Sequence, residues 1–96
     1  MSSVRVVIVI RRGEALLCRT ARKFRVPEVG EALTLVDEGE PSDVAGRVEL
    51  VVDGPGGRPY VYGGAWGQEV DDAELDRLGF SECRKSELDV LEAAVG

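Results

Sequence analysis

The chain has no histidine and no asparagine, one tryptophan, and only two cysteines among its 96 residues. Lacking histidine, it has no imidazole general base, no histidine-bearing triad and no imidazole metal ligand. Cys18 and Cys83 are far apart, so they form neither a C-x-x-C redox motif nor a zinc ribbon. No apolar run reaches the roughly 20 residues that a membrane helix needs. Met1-Ser2-Ser3 lacks a basic leader region, and residues 4–10 run into Arg11-Arg12 without a small-residue cleavage site, which predicts no secretory leader. A cytoplasmic protein with reduced cysteines is therefore expected. Cys18 lies in an apolar strand pattern and reads as a small buried hydrophobe. Cys83 lies among charged residues, and a bridge between the two stays open at this stage.

What is present is a chain with 44% apolar residues, enough for one globular domain over residues 1–96. The net charge is −6 but unevenly spread. Residues 1–25 carry seven cations and one anion, Glu14, whereas every other anion lies beyond residue 25. Such asymmetry makes the N-terminal segment either a landing site for an anionic partner or a basic hairpin balanced by acids of the same fold. An overall pI near 4.6 speaks against general nucleic-acid binding.

Residues 4–10 are β-branched almost throughout and predict a strand. Arg12-Gly13 reads as a tight turn, and residues 14–25 return as a second strand. Near the turn both faces are apolar, with Ile8, Ile10 and Leu16 on one parity and Val7, Val9 and Leu17 on the other. A hairpin wet on one side alternates apolar and polar residues. This one must therefore be covered on both sides, by the C-terminal part of the chain or by a second copy. Further strands are expected over 31–36, 46–53 and 59–64, separated by acidic and glycine-rich turns. Residues 71–79 and 86–95 change to a helical period. Asp71 and Ser86 are cap candidates, Gly79 suits a helix stop, and Leu88, Leu91 and Val95 form an apolar stripe. The fold class expected is α+β: a small antiparallel sheet or SH3-like barrel of about five strands with a C-terminal helical segment. The stretch Val26-Pro27-Glu28-Val29-Gly30-Glu31, with Leu33 and Leu35, resembles the opening segments of small SH3-like barrel proteins of bacteria and phages. The hairpin itself is faintly similar to that of Nudix hydrolases, but the glutamate-rich helix that carries their metal ligands is absent.

For function, Tyr60, Tyr62 and Trp66 fall close together, and an aromatic cluster on a small sheet can bind peptides or bases. Arg19, Arg22, Lys23 and Arg25 form the basic candidate surface. The acidic run at 71–76 reads as a helix N-terminus complementing its dipole, without the spacing of a calcium loop. The loop at 54–57 lacks the lysine and helix of a phosphate loop. No nucleophile is paired with a base, and no cofactor or metal is expected. A non-catalytic protein-interaction module with a protein partner, and one able to self-associate, is the first expectation. The alternatives are an acidic regulator or inhibitor of antitoxin or immunity type, acting through residues 37–43 or 71–76, and a nucleic-acid binder acting through the basic hairpin. No membrane association is expected.

Overall fold

A computed structural model describes residues 3–41 and 44–95; Ser42 and Asp43 of the expected acidic loop lie outside the described residues. The fold is mixed α+β, with a five-stranded sheet and a C-terminal helix. Strand β1 (Val4–Arg12) pairs antiparallel with β2 (Ala15–Lys23) along its whole length. A small two-stranded sheet follows, β3 (Ala32–Thr34) with β4 (Val44–Arg47). Next come β5 (Leu50–Asp53) and β6 (Pro59–Tyr62), a hairpin that joins the large sheet. Helix α1 (Asp72–Arg77), the two-residue strand β7 (Ser81–Glu82) and helix α2 (Lys85–Val95) complete the chain. The large sheet runs β5-β6-β1-β2-β7.

Three expectations are corrected. The sheet is not purely antiparallel: β1 and β6 run parallel, with Val7 opposite Tyr60 and Val9 opposite Tyr62. The nearly unbroken apolar run of β1 has its cause here, because a central strand covered on both faces has no polar side to display. Second, the large sheet does not close into a barrel among the described residues; β5 and β7 are its two edges. Third, the strand expected over 46–53 is divided. The backbone of Val48 exchanges hydrogen bonds with Gly30 and Glu31, while the Glu49 amide already donates to Tyr62. One extended stretch therefore serves both sheets in turn.

The opening turn also differs from expectation by one position. Arg12 lies opposite Ala15, so Gly13 and Glu14 form the turn, and Gly13 has a φ of +62°. The slip exchanges Leu16 and Leu17 between faces. Leu17 packs with Ile8 and Ile10, and Leu16 with Val7 and Val9. Both faces are covered, as the hairpin's composition requires. Leu33, Leu35, Val48, Leu75 and Phe80 cover the first. Leu91, fully buried, with Leu88 and Val95 of α2, covers the second. Since one chain supplies both covers, the packing argument for a homo-oligomer lapses.

The helix ends follow local chemistry. Asp71 caps α1 by accepting from the Glu74 amide at 2.9 Å. At the other end the Gly79 amide donates to Asp76 and the Phe80 amide to Leu75, with Gly79 at a φ of +83°. These paired bonds, with the apolar residues Phe80 and Leu75 at their ends, are a Schellman stop. Helix α2 starts one residue before the expected cap. The Arg84 carbonyl accepts from the Leu88 amide, and Glu87 Oε1 accepts from the Arg84 amide at 2.8 Å. Arg84, not Ser86, is therefore the cap position. Among the described residues no helix is long and apolar enough to cross a membrane.

Candidate functional site: an arginine-lined cleft

The residues singled out by sequence do not form one surface. Tyr60 and Tyr62 point to the side of the sheet that α2 covers, and Tyr60 is buried at 3% exposure. Trp66 belongs to the opposite side, where its ring lies 6.4 Å from that of Phe80. It stands on a 3-10 turn (Ala65–Gln68) pressed so close to β1 that a Cβ on Gly67 would meet the Arg11 carbonyl oxygen at 2.5 Å. The expected aromatic cluster is thus divided by the sheet, because residues on a turn after a strand need not keep the strand's facing.

The basic hairpin is largely answered from within. Lys23, expected at the surface, is 3% exposed. Its ammonium donates to the Thr34 hydroxyl, the Thr34 carbonyl and the Val36 carbonyl at 2.6, 3.2 and 2.6 Å. Three acceptors meet the three ammonium donors and tie β2 to the segment after β3. Burial pushes the Lys23 pKa down, opposed by Glu38 and Asp37 and reinforced by Arg19. Arg25 grips Glu31 with both guanidinium nitrogens, at 2.6 and 2.7 Å. These bonds, joined by one from the Glu28 amide, hold the Glu31 carboxyl down at about 2. Arg22 is exposed; its amide donates to Asp37 Oδ1 at 3.0 Å, and its guanidinium forms no ion pair among the described residues. The acidic run is engaged: Asp71 caps α1, Asp72 lies 3.3 Å from Arg12, and Glu74 pairs with Arg77.

Arg19 and Tyr60 stand on opposite faces of the sheet, since Arg19 lies opposite Ile8 and shares its side whereas Tyr60 faces α2. Tyr60 lines a cleft of about 560 Å³ between the edge of β2, the loop before β6 and the start of α2. Arg58 and Arg84 line it too, and sequence reading had singled out neither. None of Arg19, Arg58 and Arg84 forms an ion pair among the described residues. Arg19 Nη1 is buried without a hydrogen-bond partner. This contrasts with Arg11, Arg12, Arg25, Arg47 and Arg77, all of which hold acceptors. Arg58 and Arg84 thus bring two cations without ion pairs to one concavity.

Two carboxylates, Glu82 and Glu87, share the cleft. Glu87 is occupied: the Tyr60 hydroxyl donates to its Oε2 at 2.5 Å, and the Arg84 amide donates to its Oε1. Burial works to raise the Glu87 pKa, but these two bonds, with Arg84 and Arg58 nearby, outweigh it and hold the carboxylate below its ordinary value. Burial first, and the bond to Glu87 second, push the Tyr60 phenol up to about 12. The phenol's contribution to stability is therefore complete below its unfolded value of 10 and is lost as pH rises through about 12. In a Tyr62→Phe background, the remaining phenolate absorbance should rise near pH 12, and Glu87→Gln should bring that midpoint down. A midpoint unmoved by the substitution would show that the bond is not formed in solution.

The cleft also shows a feature that the sequence left open. Cys18 and Cys83 form a disulfide with their Cα atoms 5.3 Å apart, which corrects the expectation of reduced cysteines. Strand β7 brings them together: it places Ser81 opposite Cys18 and Glu82 opposite Leu17. No spacing rule reveals such a pair, because the strand that aligns it has only two residues. No family model, curated protein or solved structure matches this chain.

Proposed function

We propose that the protein is a non-catalytic interaction module that takes an acidic segment of a partner protein into the arginine-lined cleft. One observation carries this reading: Arg58 and Arg84 line one concavity, and neither forms an ion pair among the described residues. Guanidinium groups left free at a partly dry surface favour carboxylates, which they can grip with paired hydrogen bonds. The bond between Tyr60 and Glu87 holds the cleft wall in place and mutes the nearest repelling charge.

The inhibitor and nucleic-acid readings have less support, since Lys23, Arg25, Asp71 and Glu74 are engaged inside the fold. A cytoplasmic setting remains part of the reading only if the bridge responds to redox conditions, because reducing compartments open ordinary disulfides.

Titration with an octaglutamate peptide tests the reading. Binding is expected to weaken as salt rises. Reversing both Arg58 and Arg84 to glutamate should weaken it by about tenfold or more. Arg5→Glu, on the exposed start of β1, should leave affinity unchanged, as should Trp66→Ala on the other side of the sheet. Equal affinity of the native protein and the doubly reversed variant would overturn the assignment.

A further inference from the structure

The disulfide and the arginine cleft share a wall. Cys18 lines the cleft whereas Cys83 does not. We infer that the Cys18–Cys83 bridge undergoes thiol–disulfide exchange with small anionic thiols, which enter the cleft and attack Cys18 Sγ. The inference uses the anion-accepting character of the cleft proposed above, but not the existence of a protein partner.

Two features of the chain favour this chemistry. The first is field. Arg58 and Arg84 stand in the same cleft as Cys18, and Glu87, one of its two carboxylates, is held by the Tyr60 hydroxyl. The attacking species is a thiolate, and a thiol that carries a further anionic group is drawn to such a site more strongly than a neutral one. The second is the leaving group. Cys83 immediately precedes the cap residue of α2, an 11-residue helix, so a thiolate formed there meets the positive end of the helix and Arg84. Both stabilise a thiolate, and a more stable thiolate leaves faster.

In the first step the incoming thiolate bonds to Cys18 Sγ. The bridge breaks, and its electron pair departs on Cys83 Sγ. In the second step another thiolate attacks the external sulfur of that mixed disulfide and expels the Cys18 thiolate. Two external thiols are thereby oxidised to one disulfide, and the bridge gains two electrons. Noncovalently, β7 is held to β2 by two residue pairs and by the bond from the Cys83 amide to the Leu16 carbonyl. Opening the bridge therefore loosens the wall that carries Ser81, Glu82 and Arg84, which couples redox state to the shape of the cleft.

The test compares opening rates with 2-mercaptoethanesulfonate and with neutral 2-mercaptoethanol. Each rate is divided by that of the same thiol with a small neutral disulfide, and freed thiols are counted by acid quench and mass. The native protein is expected to favour the sulfonate by about tenfold at low salt. Added salt should shrink that preference, and so should Arg58→Gln with Arg84→Gln, to about twofold. Peptide mapping of the trapped intermediate should find the adduct on Cys18. No preference in the native protein, a preference untouched by the substitutions, or an adduct on Cys83 would each overturn the inference. If the thiol preference holds while octaglutamate does not bind, the partner reading falls and the exchange site stands. Octaglutamate binding without a thiol preference removes the exchange site alone.

Discussion

Replacing Cys18 and Cys83 together by alanine is expected to lower the free energy of unfolding by about 4 kcal/mol, the chain-entropy value for a loop of this length. The bridge spans 65 positions, most of the molecule, so the unfolded chain gains much freedom when it is cut. Alanine suits both sites because each sulfur is nearly buried, at 9% and 7% exposure, and a hydroxyl there would lack an assured partner. A domain of this size has a total stability of roughly 5–14 kcal/mol. The double variant should therefore remain folded but melt much earlier. Urea unfolding should show a lower midpoint together with a steeper slope, since the uncrosslinked chain exposes more surface. A loss under about 1 kcal/mol would mean that the bridge constrains little in the unfolded ensemble.

Leu91→Ala should cost about 2–5 kcal/mol, the range for removing a fully buried leucine side chain. Leu91 has no solvent exposure and lies with Val7, Val9, Leu16 and Tyr60 beneath α2. It is the one fully buried side chain of that helix. Truncation leaves a cavity that an 11-residue helix docked by one apolar stripe can collapse only in part. Glu92→Ala, one position along and exposed, should change stability by no more than about 0.5 kcal/mol. Similar small effects at both positions would show that α2 does not seat on the hairpin, and the two-sided cover would then fail. The two variants together separate burial from any general loss of helix.

Much of the local structure is legible in the residues. The β-branched run at 4–10 announces β1, and the absence of a polar face around the turn announces covers on both sides. Asp71 and Gly79 mark the ends of α1 through their own chemistry. Leu88, Leu91 and Val95 mark the face that α2 buries. The candidate site was far less visible. Tyr60 entered through an argument for aromaticity, which pointed to neither arginine of the cleft. Arg58 and Arg84 had no local signal, since an arginine beside a turn or at a helix start looks like any solvated cation. Lys23 misled for the same reason: only the carbonyls of Thr34 and Val36 distinguish a satisfied buried ammonium from a surface one.

The amino-acid order alone thus determined the strands near the start, the helical period near the end, the two ends of α1 and the need for a doubly covered ribbon. These are short-range matters of backbone preference and of which side chains shun water. The tertiary structure decided the parallel entry of β6 beside β1, the passage of one extended stretch between two sheets at Val48, the joining of Cys18 to Cys83 and the meeting of Arg58 and Arg84 at one cleft. Each of these depends on which distant segments become neighbours. That choice is made by the packing of the whole chain, and periodicity within a window of a few residues carries no record of it.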